Sequence, residues 1–141
     1  MGSRASSSAT LPGLPEQVEI AYLAGLIDRG GGFTASRPNA VGLKIVCTRP
    51  LRHWLVLRFG GSDTTRVWWL TRQADLLFLL PRVLPYLVVR TDECKAMIAL
   101  LEHVSARASY NGDAEWRQRR EDLMGAVRAA RRPQAMSARG A

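Results

Sequence analysis

The sequence predicts an α+β fold with the element order helix, two strands, helix, two strands, helices (αββαββα). Three observations predict it. The stretch Ala21–Phe33 reads as a helix that runs into three consecutive glycines and then an extended segment. Short alternating segments, rich in β-branched and aromatic residues, come in two pairs on either side of a second helical pattern. From Gln73 onward apolar residues recur at helical spacing, broken by prolines and one turn sequence. With 141 residues, 47% of them hydrophobic, the chain suffices for one domain with a real core.

Residues 1–15 are rich in Ser, Ala, Gly and Pro and are expected to be flexible, with Arg4 as the sole cation for any DNA-binding arm. Residues 16–132 form the domain. Its first helix is predicted over Glu16–Asp28, with Pro15 at an entry position where its missing N–H does no harm. Ala21 and Gly25 lie four apart, as do Ala24 and Asp28. That stripe of small residues lets another helix approach almost to backbone contact. Leu23, Leu26 and Ile27 pack around it. Gly30, Gly31 and Gly32 are expected to stop the helix through their freedom at positive φ.

Phe33–Arg37 and Val41–Thr48 are predicted strands joined by a turn at Pro38-Asn39. In the second, Leu43 and Ile45 share one face while Lys44 and Val46 share the other. A helical pattern from Pro50 carries Leu51, Trp54, Leu55 and Arg58 and ends at Gly60-Gly61. Ser62–Thr65 is predicted as a turn and Val67–Thr71 as a strand. Trp68 and Trp69 must face opposite sides, so one is core and the other a candidate for stacking or groove contact, with core packing or cover by a helix preferred for both.

Gln73–Tyr86 reads as an apolar helix kinked or split at Pro81. Thr91 caps the next helix, which runs to about Ala108. Ser109–Gly112 makes a turn, and Asp113 caps a last helix carrying Trp116, Leu123 and Val127. Arg131-Arg132-Pro133 is expected to end it, leaving residues 133–141 as a disordered tail.

A formal charge of +8 and a pI near 10.7 favour a polyanionic partner, without separating nucleic acid from an anionic membrane. No apolar run reaches spanning length and the N-terminus lacks a signal-peptide apolar region, so a membrane partner is not expected and a cytoplasmic location is, with nucleoid association as a variant of it. Cys47 and Cys94 have no metal-ligand spacing and read as reduced thiols. Arg37, Lys44, Arg49, Arg66, Arg72 and Arg90 are candidate DNA contacts, and a solvated sheet face is the plain alternative for each. His53 and His103 have no ligand partner at useful spacing.

Leu23–Gly31 resembles the nine-residue LAGLIDADG signature of homing endonucleases, with seven of nine letters matching and differences at Arg29 and Gly30. The resemblance extends over about Gln17–Arg132. Thr71–Leu87 is similar to the family's strand-to-helix segment, which ends in Pro-Tyr-Leu before a basic residue, and Arg119–Met124 to its closing helix. The resemblance implies a saddle-shaped antiparallel sheet with helices on one side. It also implies a pair of signature helices whose ends hold two carboxylates and divalent metal for phosphodiester hydrolysis.

One copy of the signature implies a homodimer across Ala21, Ala24 and Gly25, on double-stranded DNA with a near-palindromic site. The metal-binding acid falls on Gly30, which has no side-chain ligand. Asp28 falls on the signature's first Asp, mainly structural in the family, and reaches metal only if the turn is rebuilt. The basic active-site residue falls on Arg90, and the polar residue that orients water falls on Cys47 or Thr48. Arg29 falls at the centre of the saddle, as a phosphate contact or simply an exposed loop arginine.

The reading favoured is a DNA-binding homodimer with lost or strongly reduced nuclease activity and no cofactor. An active Mg-dependent homing endonuclease making site-specific double-strand breaks is the alternative. A protein-interaction module on the same fold is the third.

Overall fold

The computed structural model describes residues 15–35, 41–106 and 114–140, with residues 132–140 as backbone only. Helix α1 (Gln17–Gly30) starts where the Glu16 N–H donates to Glu19 Oε1 at 3.0 Å, which satisfies an amide the helix itself leaves open. It runs through Gly30, two residues past the expected end. The glycines do not stop it by adopting positive φ: Gly31 is extended at φ −92° and ψ 178°. Space is what Gly31 supplies, because a Cβ there would sit 2.9 Å from Ile27 Cα and 3.2 Å from Ile45 Cγ1.

Strand β1 (Gly31–Ala35) therefore begins two residues earlier than expected and pairs antiparallel with β2 (Val41–Val46), Phe33 facing Leu43. Arg37 and the predicted Pro38-Asn39 turn lie outside the described residues. Helix α2 (Arg49–Phe59) follows with Pro50 in its first turn, where a proline is tolerated. It ends at Gly60 and Gly61, at φ 79° and 83°. Here a left-handed backbone is needed, and a Cβ on Gly61 would also overlap the Trp69 carbonyl.

Ser62–Thr64, expected as a turn, is a strand (β3) paired with β4 (Val67–Leu70). The turn is Thr65-Arg66, where Arg66 takes φ 69°. Two residues suffice for a hairpin when positive φ matches the strand twist, so the loop is tighter than its polar composition suggests. The four strands run in the order β1-β2-β4-β3.

Helix α3 (Gln73–Val83) passes through Pro81, and the break comes after Val83 as a short 3-10 turn, Leu84–Tyr86. Leu79, Leu80 and Val83 are fully buried, and that packing outweighs the one backbone bond Pro81 removes near the helix end. Helices α4 (Thr91–Ala106) and α5 (Ala114–Gly140) close the chain. The predicted turn at Ser109–Gly112 and the cap at Asp113 fall outside the described residues. Helix α5 continues past Pro133, where the sequence predicts its end.

The core lies on one face of the sheet. Phe33, Ala35, Leu43, Ile45, Trp68 and Leu70 meet Leu23 and Ile27 of α1, Leu76, Leu79 and Leu80 of α3, Met97 and Leu101 of α4, and Val127 of α5. Trp68 is fully buried and its indole N–H donates to the Gly60 carbonyl at 2.8 Å. Trp69 is not core. It lies on the opposite face with Lys44 Nζ 5.7 Å from its ring centroid, within reach of a cation–π attraction.

Candidate nucleic-acid interface

The C-terminal end of α1 is where Asp28, Arg29, Gly30, Cys47, Thr48 and Arg90 converge, and the structure divides them into two groups. Asp28 turns toward the segment between the 3-10 turn and α4. Its Oδ2 accepts the Val88 N–H at 2.8 Å, and its Oδ1 accepts those of Val89 and Arg90, each at 3.0 Å. One carboxylate thus gathers three successive amides, the arrangement that orders a loop entering a helix. Arg90 is held too: Nε donates to the Ile27 carbonyl at 3.0 Å, capping α1, and Nη1 pairs with Glu93 at 2.9 Å.

Glu93, with no exposed surface, is the centre of that second arrangement. Its Oε2 accepts Arg131 Nε at 3.0 Å and the Phe33 N–H at 3.4 Å, while Arg131 also donates to the Phe33 carbonyl and Arg128 to the Ala35 carbonyl at 2.7 Å. Burial of a carboxylate is tolerated when it is paired and hydrogen-bonded. Glu93, Arg128 and Arg131 carry little signal in the sequence; the i,i+3 spacing of Arg90 and Glu93 is the one local hint of this network.

The other group faces away from this network. Arg29, Gly30, Cys47 and Thr48 line a concavity of about 250 Å³ with Leu26, Ile45, Val46 and Leu51. Arg29 and Gly30 are exposed, and nothing lies within 4 Å of a Cβ placed on Gly30. Partial burial raises the Cys47 thiol pKa, with nearby Arg52 opposing. Arg52 joins the Cys47 carbonyl to Asp63 at 2.6 Å each, tying α2 to the sheet.

The donors at this end of α1 do not fit a divalent cation. Such ions want several free oxygens, yet Asp28 is engaged by three amides and Gly30 offers no side chain. Among the described residues no three His, Cys, Asp or Glu side chains stand together as a metal cluster.

The remaining candidates are spread out. Arg49 is exposed at the start of α2, Arg66 is exposed at the β3–β4 turn, and Arg72 precedes α3 with its Nε 3.6 Å from Asp75. Of the small residues on α1, Gly25 is exposed and Ala21 half-buried, but Ala24 is fully buried against its own core. Its position beside Leu23 turns it inward, so it cannot meet another helix. The outward stripe is instead Val18, Tyr22, Gly25 and Arg29, spaced at 4, 3 and 4 residues. Val18 and Tyr22 are 70% and 52% exposed, and they border an open apolar groove of about 690 Å³ shared with Leu51 and Trp54. His103 is satisfied by the Trp116 carbonyl at 3.1 Å.

No protein-family model matches the sequence, and no curated protein does. Solved structures do. The homing endonuclease I-CvuI in complex with its target (Sro1.3), in the presence of 2 mM Ca, matches with a TM-score of 0.63 at 16% identity, over 81% of this chain and 82% of that one. I-CvuI with the I-CreI target (C1221) in 2 mM Mg, its DNA not cleaved, matches with a TM-score of 0.53 at 15% identity, over 84% and 96%. The fold is that of a homing endonuclease.

On this homing-endonuclease fold the helices cover one sheet face, and the other carries Gly32, Thr34, Lys44, Val46, Val67, Trp69, Ser62 and Thr64, none of them buried. Among the described residues no helix is long and apolar enough to cross a membrane.

Proposed function

We propose that this chain is a double-stranded-DNA-binding homodimer whose nuclease activity is lost or strongly reduced. One observation carries the reading. The end of α1 presents Arg29 and Gly30 to the concavity, while the neighbouring Asp28 is turned away and engaged by three amides. A carboxylate pair that could activate water is therefore not assembled there.

Binding does not need that pair. Phosphate contacts supply most protein–DNA affinity, and Arg29, Arg49, Arg66 and Arg72 are all exposed, Arg66 and Arg72 at the two ends of β4. The likeness to DNA-bound homing endonucleases supports a duplex as the polyanion. A second copy is expected to pack on the outward stripe of α1, where Gly25 allows close approach and Val18 and Tyr22 offer apolar area.

Two measurements test this. Affinity for duplex DNA should fall by about 10³ between 50 and 200 mM salt if roughly six phosphates are contacted. The unaltered protein should not nick plasmid DNA with Mg, and Gly30→Asp, which has open space for its side chain, should gain divalent-ion binding. Mg-dependent scission by the unaltered protein would overturn the loss of activity. A duplex affinity indifferent to salt would overturn DNA binding and favour a protein-interaction module.

A further inference from the structure

Resting on the DNA-binding reading, we infer that the open sheet face recognises thymine through its C5-methyl group, by way of a Val46–Val67 pair flanked by Trp69 and Lys44. Val46 and Val67 stand directly opposite each other on β2 and β4, and Lys44 and Trp69 form the next row on the same face. Val46 is 58% exposed, an apolar side chain left open to solvent. Lys44 is the only charged side chain on this face among the described residues, and no Asn, Gln, Asp or Glu lies on it. Asp63, on β3, points to the other side and is held by Arg52 at 2.6 Å.

Base edges in a major groove are told apart by the groups that match them. Guanine is read by a bidentate Arg or Lys, adenine by Asn or Gln, cytosine by an acidic side chain, and thymine by apolar contact with its methyl. Among the described residues the adenine and cytosine readers are missing from this face, and the one cation there is drawn over an indole ring. The Thr34 and Thr64 hydroxyls donate to the Gly42 and Val67 carbonyls, both at 3.4 Å, so their protons are directed into the sheet. What the Val46–Val67 row offers is apolar surface.

Charge decides that the occupant is nucleic acid rather than an apolar protein face. Arg66 sits at the turn next to Val67 and Arg72 just beyond β4, both exposed, in a chain of net charge +8. Rows two residues apart on a strand are separated by about 6.6 Å, close to two base-pair steps. Each subunit would therefore read two base pairs separated by one.

The test compares an alternating A–T duplex of 24 base pairs with the same duplex carrying uracil for thymine, which removes the methyl and keeps the pairing. Binding by fluorescence anisotropy should weaken about fourfold per lost methyl contact, the worth of one buried carbon, about 0.8 kcal/mol. Val46→Ala with Val67→Ala should bind the two duplexes alike, and Lys44→Ala should weaken both while keeping their ratio. Equal affinity of the unaltered protein for the two duplexes overturns the inference and leaves DNA binding standing. A thymine preference that survives the double alanine variant overturns its assignment to this pair. Failure to bind either duplex overturns the DNA-binding reading itself, and the inference with it.

Discussion

Replacing Glu93 with Gln keeps the side-chain volume and removes the one anion that faces both Arg90 and Arg131. Breaking a buried ion pair by removing one partner destabilises by about 3–5 kcal/mol. Arg90 and Arg131 are 22% and 46% exposed, so their guanidinium groups recover part of their hydration, and about 2–4 kcal/mol should remain. For a domain of this size each kcal/mol moves the midpoint by about 4 °C, so Tm should fall by about 8–16 °C. Thermal melts followed by circular dichroism measure it. Arg131→Ala alone should cost about 1 kcal/mol, and the double variant should show coupling, because the two residues share one bridge. A Glu93→Gln melt within about 2 °C of the parent would refute the idea that this carboxylate fastens α4, α5 and β1 together.

Three further outcomes are expected. Burial, reinforced by Glu93, pushes the Cys94 thiol up to about 12. The folded state then keeps a proton that the unfolded chain loses, so stability is intact below about pH 8.5 and falls as pH rises from there toward 12, and Cys94→Ala should flatten that slope in denaturant titrations. Gly31→Ala should destabilise by about 1–3 kcal/mol, since its Cβ meets the Ile27 backbone, whereas Gly32→Ala, which meets nothing within 4 Å, should change stability by less than about 0.5 kcal/mol; equal effects would dispose of the steric account. Gly25→Lys places a charge on the outward stripe of α1 and should yield a monomer by sedimentation with its melting curve unchanged; a dimer that persists would place the contact elsewhere.

Periodicity made much of the fold legible. The alternation of Leu43 and Ile45 against Lys44 and Val46 marks the two faces of β2 correctly, and the helical spacing of Leu76, Leu79, Leu80 and Val83 outlines α3. Shorter-range chemistry was harder to read. Ser62–Thr64 has the composition of a turn, and only pairing with Val67–Trp69 makes it a strand, a tertiary effect that local propensity cannot report. Ala24 looks like its neighbours Ala21 and Gly25 in sequence, yet a rotation of one residue along α1 puts it inside.

At the site, the absence of a carboxylate at position 30 is visible in the letters alone. What Asp28 and Arg90 do is not, because their partners are backbone groups: the amides of residues 88–90 and the Ile27 carbonyl. Glu93 is not legible in the sequence because its importance comes from contacts with Phe33 and Arg131, 60 and 38 residues away.

The two outer strands of the sheet differ in how they are finished. On β1 the outward amide of Phe33 and the outward carbonyls of Phe33 and Ala35 are already taken by Glu93, Arg131 and Arg128. The far border, β3, is only three residues long. Neither offers a template on which a neighbour could lay down an extra strand. Copies of this molecule are thereby steered away from ribbon-like stacking.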